Sequence, residues 1–122
     1  MDQLLNKSEL PERHLINDEV IAETARQIEK DLWLSRLDLT PSSAKQTAFE
    51  RLFSALLPHI LDLLSGSVAD LPQKLYQVDL PERYVEQAMG SDHPSELLTE
   101  AIIKRCFQKV VLRRLYSNRK SE

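Results

Sequence analysis

The sequence predicts an all-α protein, a compact bundle of three long helices with one or two short helices between the second and the third. Only two glycines occur among the 122 residues, and hairpin-rich β folds need more of them in their turns. No stretch of five or six residues alternates apolar with polar side chains, as a half-buried strand would. Apolar residues instead recur three and four apart over long segments, which is typical of helices with one buried face.

A single domain over residues 1–122 is expected from length and composition. A chain of this size buries roughly two thirds of its unfolded surface around one core, and 42% of its residues are hydrophobic. Residues 1–15 show no sustained apolar period, so we expect a loosely ordered lead-in there. The polar residues 118–122 are expected to form a frayed tail.

The first helix is expected over residues 18–36. Asn17 or Asp18 can cap its start, and Glu19 suits the positive end of the helix dipole. Its apolar face has members spaced three and four apart, namely Ile21, Ala25, Ile28 and Leu32.

The second helix is expected over residues 41–65, with a kink at Pro58. Thr40 supplies a capping hydroxyl and Pro41 suits the first turn of a helix. The apolar face continues unchanged across Pro58 and consists of Phe49, Leu52, Phe53, Leu56, Leu57, Ile60, Leu61 and Leu64. Because Pro58 points away from that face, we expect it to bend a continuous helix rather than to end it. Gly66 is the expected C-terminal stop.

Two short helices are expected between the long ones, over residues 71–77 and 80–89. Asp70 and Asp79 each precede a proline by two positions and a glutamine or glutamate by three, which is the pattern of a capping box. Gly90 is expected to end the second short helix.

The last helix is expected over residues 93–117, with Pro94 in its first turn. Its inner face follows the spacing i, i+3, i+4 and i+7 and consists of Ile103, Cys106, Phe107 and Val110. Leu98 and Ile102 lie on a second apolar side. The first half of this helix is therefore expected to be central to the bundle or part of an interface.

The same helix carries a row of basic residues spaced four apart, called the basic stripe below, formed by Arg105, Lys109 and Arg113. Positions 103–121 hold seven basic residues and no acidic one, although the formal net charge of the chain is −3. The first 102 residues hold 18 acidic and nine basic residues. The chain is therefore electrically polarised, with a basic last helix and an acidic remainder.

No catalytic or cofactor-binding pattern can be recognised in the sequence. Gly66 and Gly90 stand far apart, whereas a phosphate-binding loop needs clustered glycines. The three histidines are widely separated, and none forms a helix-spaced pair of metal ligands. Cys106 lies on the inner apolar face, so we expect a buried thiol rather than a nucleophile. We therefore expect no enzymatic activity, no metal and no cofactor.

Trp33, near the end of the first helix, has two interpretations. It can cover the edge of the core, which is the commoner use of a tryptophan beside an apolar helix face. It can also anchor a partner, since tryptophan is enriched at binding hot spots. The sequence favours the core interpretation.

The basic stripe is compatible with two functions. The leading hypothesis is a non-enzymatic interaction or regulatory domain that self-associates, with the acidic surface of one subunit meeting the stripe of another. The alternative is weak, sequence-independent binding of nucleic acid, with phosphates on the stripe and a base stacked on an aromatic ring. The residues expected to make such contacts are Arg105, Lys109, Arg113, Leu98, Ile102 and Tyr116.

A protein partner is favoured over nucleic acid for three reasons. The net charge is negative, no nucleic-acid motif is present, and the helix dipole by itself favours basic residues late in a helix. The stripe is then expected to match the acidic body, either within one chain or between subunits. The single cysteine and the absence of a signal-like or membrane-spanning stretch predict a cytoplasmic protein.

Overall fold

The computed structural model describes residues 18–66 and 70–121, and these residues form five α-helices and no β-strand. The all-α prediction is therefore confirmed. The lead-in predicted for residues 1–15 lies outside the described residues. The helices are α1 (Asp18–Leu32), α2 (Ala48–Ser65), α3 (Asp70–Val78), α4 (Glu82–Met89) and α5 (Pro94–Ser121).

Helix α1 ends at Leu32 rather than at the predicted residue 36. Trp33 takes a left-handed conformation with a φ of 56°, and the Leu34 N–H donates to the Glu29 carbonyl oxygen at 2.9 Å. This is the longer of the two hydrogen bonds of a Schellman motif. The Lys74 ammonium on α3 also donates to the Leu32 carbonyl oxygen at 2.9 Å. A tertiary contact therefore helps to end the helix, and the local sequence does not show it.

Helix α2 begins at Ala48, so the start predicted from Thr40–Pro41 is wrong. The Thr47 side-chain oxygen accepts from the Glu50 N–H at 3.1 Å, and the Glu50 carboxylate accepts from the Thr47 N–H at 2.8 Å. This reciprocal capping box satisfies two backbone amides at the helix start. Residues 33–47 form an irregular connection, and the later capping signal decides where the helix starts.

Replacing Thr47 with alanine should lower the free energy of unfolding by about 1 kcal/mol, because the N-cap acceptor is lost. Thr40→Ala, in the preceding connection, should change it by less than about 0.5 kcal/mol, as at ordinary surface positions. Urea unfolding followed by circular dichroism measures both variants. Equal losses in the two variants would contradict the assignment of the cap to Thr47.

Helix α2 continues through Pro58, as predicted, and Pro58 is exposed. The kink at this position stays a prediction. The Gly66 N–H donates to the Asp62 carbonyl oxygen at 2.9 Å and closes the helix, also as predicted. Leu61, which the apolar spacing assigned to the inner face, is 48% exposed.

Helices α3 and α4 confirm the two predicted short helices, and Gly90 closes α4 as expected. The capping box predicted at Asp79 is wrong, because Pro81 is the N-cap of α4 and no side chain caps it. Asp79 instead has a left-handed φ of 68°, and its carboxylate accepts a hydrogen bond from Arg105. The matching prediction for Asp70 concerns a side chain outside the described part of the chain.

Helix α5 continues to Ser121, beyond the predicted end at residue 117. Its 28 residues span about 42 Å at 1.5 Å per residue. Lys109 of α5 pairs with Asp31 near the end of α1, and Arg114 pairs with Glu23 nearer its start, so the two helices are antiparallel. Helices α1, α2 and α4 all pack against α5, which is the central helix of the fold.

The core lies on the inner faces of the helices around α5. Leu98 and Ile102 belong to it, with 1% and 0% of their surface exposed. Of the two positions that the sequence left open for the first half of α5, the structure therefore shows the central one. A second, smaller cluster forms where the start of α1 meets the later part of α5, and it contains Val20, Phe107, Val110 and Val111.

Candidate interaction surface

The basic stripe pairs with carboxylates of its own chain. Each of its three members forms an ion pair with a residue outside α5: Arg105 Nη2 to Asp79 Oδ2 at 2.9 Å, Lys109 Nζ to Asp31 Oδ2 at 2.8 Å, and Arg113 Nη2 to Glu23 Oε2 at 3.0 Å. The basic stripe therefore fastens the central helix to α1 and to the turn before α4. Of the two arrangements that the sequence left open, within one chain or between subunits, these ion pairs are the one within the chain.

The acidic partners of the stripe were not predicted from the sequence. Glu19, Glu23, Arg26 and Lys30 form a charged series along α1 whose spacing favours ion pairs within that helix. Glu23 instead accepts from both Arg113 and Arg114 of α5. Arg26 of that series pairs with Glu29 on its own helix. Glu23 and Asp31 lie eight residues apart and thus near the same side of α1, and that spacing is the one signal in the sequence that could have indicated a carboxylate row.

Glu23 is held in its ionised form by these contacts. Its partial burial acts to raise the pKa of the carboxyl group, but the hydrogen bonds and charges of Arg113 and Arg114 outweigh that effect and hold the pKa below 4.5. The ionised form is therefore favoured by folding, and its contribution to stability is present above the unfolded pKa and lost as the pH falls through the folded value.

Asp31 lies at the centre of the most buried polar group in this region. One carboxylate oxygen accepts from Gln27 Nε2 at 3.0 Å, and the other accepts from Lys109 and, at 3.7 Å, from the Cys106 thiol. Burial raises the pKa of Cys106 to about 12, and the negative charge of Asp31 adds to the effect. The prediction of a buried thiol is confirmed, since Cys106 is 0% exposed.

The six residues predicted to meet a partner do not share one surface. Leu98 and Ile102 are buried in the core. The side chains of Arg105 and Lys109 are only 19% and 20% exposed. Arg113 is half exposed, and Tyr116 is 61% exposed. Tyr116 and Arg113 are therefore the members of this set that the structure leaves accessible.

The most exposed apolar surface of α5 lies at its C-terminal part. Leu112, Leu115 and Tyr116 are 55%, 44% and 61% exposed and follow the spacing i, i+3 and i+4, so they lie on one side of the helix. Leu97 is 41% exposed, and it precedes Leu115 by 18 residues, or five turns, which places both on the same side. These four residues are called the apolar strip below. The leucines of the apolar strip were not predicted from the sequence, because only the apolar spacing of the inner sides of the helix was used to choose residues.

A group of exposed carboxylates precedes α5 in the chain. They belong to α4 and to the turn that joins it to α5, and they are Glu82, Glu86 and Asp92. None of them forms an ion pair with another residue in the described ranges. They are called the acidic end below.

Trp33 is 78% exposed, so the interpretation of this residue as a cover for the core is wrong. The reason is the early end of α1. The left-handed backbone at Trp33 takes the chain out of the helix at this residue.

Metal and membrane signals are both absent from residues 18–66 and 70–121. No three His, Cys, Asp or Glu side chains in these ranges are grouped as ligands of one ion. None of the helices there has the length and apolar composition needed to cross a lipid bilayer.

Comparison with models of protein families finds no match, and neither the curated proteins nor the solved structures give a significant match to this chain. The charges and exposed side chains of the chain itself are therefore the basis for inferring its function.

Proposed function

We propose that this protein is a non-enzymatic helical interaction domain that associates with a second copy of itself through α5. The apolar strip forms the contact. The observation that carries the proposal is the exposure of Leu97, Leu112, Leu115 and Tyr116 along one side of the longest helix. Large exposed apolar side chains on one side of a helix are typical of helix pairing.

The charge distribution supports a second copy in the antiparallel orientation. The acidic end lies beside the start of α5, whereas Arg119 and Lys120 lie in its last turns. In the sequence, Asp92 and Lys120 stand near opposite ends of this 28-residue helix. Two antiparallel α5 helices related by a two-fold axis would bring the start of each helix, which follows Asp92, towards the last turns of the other, which contain Arg119 and Lys120. The same symmetry places Leu97 of one copy opposite Leu115 of the other.

This contact through the apolar strip differs from the contact predicted from the sequence, in which the basic stripe meets the acidic surface of another subunit. Each member of the stripe already has a carboxylate partner in its own chain, so meeting the acidic surface of another subunit would require breaking internal ion pairs. The same holds for phosphate groups, and we therefore do not extend the proposal to nucleic acid. A cytoplasmic location belongs to the proposal and is supported by the one thiol, which is unpaired.

Sedimentation equilibrium tests the proposal with a matched set of leucine variants. The wild-type chain should form dimers, and the double variant Leu112→Glu, Leu115→Glu should be monomeric, because two carboxylates would be buried in each half of the contact. Leu61→Glu is the control, since Leu61 is an equally exposed leucine on α2. This variant should dimerise like the wild type.

Two results would contradict self-association through the apolar strip. One is a monomeric wild-type chain at every concentration tested, and the other is an unchanged dimer in the double variant. A labelled oligonucleotide added at low salt serves as a second readout. Binding that is lost when Arg105, Lys109 and Arg113 are neutralised would favour the nucleic-acid alternative.

A further inference from the structure

Trp33 is held in a conformation that bulky residues rarely adopt. Its φ of 56° places it in the left-handed region, where glycine is the usual residue after a helix. Such a conformation is strained for a residue with a bulky side chain. The indole nevertheless remains 78% exposed and so gains little from burial in the core. Strain of this kind persists where the surrounding structure holds it, and it is concentrated at functional sites.

A cleft opens beside Trp33, between the end of α1 and helix α3. Its volume is about 250 Å³, which suits a group of the size of one amino acid. The described residues that line it are Asp31, Trp33, Gln73, Lys74 and Gln77. The cleft thus has one aromatic wall, two amides and two charged groups.

The two charged groups of the cleft differ in how they are balanced. Asp31 is neutralised by Lys109, and both of its oxygens accept hydrogen bonds from within the fold. Lys74 donates at 2.9 Å to the uncharged carbonyl oxygen of Leu32 and forms no ion pair with a described residue. An ammonium group has three donors, so Lys74 has donors left for a ligand in the cleft.

We propose that this cleft binds a carboxylate attached to an apolar, preferably aromatic, group. The carboxylate binds the Lys74 ammonium in a charge-assisted hydrogen bond. The apolar group stacks on the Trp33 indole, in the offset or edge-to-face manner of aromatic pairs. Such a carboxylate is found at the C-terminus of a peptide with an apolar last residue and in small aromatic acids. The site lies on α1 and α3 and is independent of the apolar strip on α5.

The fluorescence of Trp33 reports occupancy directly, because it is the only tryptophan of the chain. N-acetylphenylalanine, which carries the free carboxylate, should change the emission of the full chain in a saturable manner. N-acetylphenylalaninamide is the matched probe, since it has the same ring and lacks the charge. Its dissociation constant should be at least about tenfold higher, as expected for the loss of a charge-assisted hydrogen bond.

A pair of peptides ending in phenylalanine, one with a free and one with an amidated C-terminus, distinguishes the two sources of the carboxylate. Tighter binding of the free-ended peptide than of the single amino acid identifies a protein C-terminus. Equal binding of the free-ended peptide and of N-acetylphenylalanine identifies a small aromatic acid. Both results agree with the proposed chemistry.

Lys74→Met removes the ammonium and keeps the length of the side chain, and it should weaken binding of the acid probe about tenfold without affecting the amide probe. Lys45→Met, at an exposed lysine of the connection 33–47, is the control and should bind like the wild type. Because Lys74 also contacts the end of α1, circular dichroism checks that its variant is folded. The comparison of the acid and amide probes on the wild-type chain tests the contact between the ammonium and the carboxylate without any substitution. Equal binding of the acid and the amide, or no change in emission with either, would overturn the proposal.

Discussion

Replacing Ile102 with alanine should lower the free energy of unfolding by about 2–5 kcal/mol. The side chain is 0% exposed and packs in the main core around α5. Its truncation removes buried apolar surface and leaves a cavity that the neighbouring helices fill only in part. Urea unfolding followed by circular dichroism measures the loss, and in a domain of this size the melting temperature should fall with it.

Leu112→Ala is the control for this experiment, because Leu112 lies on the same helix and is 55% exposed. In the monomeric state it should change the free energy of unfolding by no more than about 0.5 kcal/mol. The sequence analysis assigned Ile102 to a partner surface. If that assignment were right, Ile102→Ala would unfold like the control variant, and the position of α5 at the centre of the core would be contradicted.

Replacing Lys109 with methionine should cost about 3 kcal/mol at neutral pH, near the lower end of the range for breaking a buried ion pair. The reason is the carboxylate of Asp31, which stays behind with its side chain only 10% exposed and without its cation. The lower end applies because Lys109 itself is 20% exposed, so water can reach part of the site. Equilibrium unfolding in urea at neutral pH gives the difference.

A double variant separates two effects of the Lys109 substitution. One is the loss of the attraction between Lys109 and Asp31, and the other is the cost of leaving the Asp31 carboxylate buried without a cation. Asp31→Asn together with Lys109→Met removes both charges and should recover most of the stability that the single variant loses. Arg113→Met is the matched surface control, since that side chain is 52% exposed, and it should cost at most about 1 kcal/mol. The same loss in the single and the double variant would show that the stranded carboxylate is not the cause.

The helices could be predicted because their signals are local. Apolar spacing over three or four turns and the glycine stops at Gly66 and Gly90 are contained in short segments. The predicted boundaries near Thr47 and Trp33 were wrong for different reasons. At Thr47 two capping signals competed, and the one with a reciprocal glutamate formed the cap. At Trp33 the chain leaves the helix early, and a lysine from α3 binds its last carbonyl.

The candidate surface could be predicted only in part. The sequence placed Tyr116 among the accessible residues, and it is 61% exposed. It assigned Leu98 and Ile102 to the same surface because periodicity shows that a helix side is apolar, not which neighbour covers it. It did not find Leu112 and Leu115, since a leucine has the same spacing whether its side of the helix is covered or open.

By itself the sequence determined the helical class, the approximate positions of the five helices, and the burial of Cys106. These follow from patterns repeated within single helices. Only the tertiary structure decided that the basic stripe is neutralised inside the chain, that Trp33 faces solvent, and that α5 lies at the centre. The physical reason is distance along the chain: Arg113 and Glu23 are 90 residues apart, and their pairing depends on how whole helices pack.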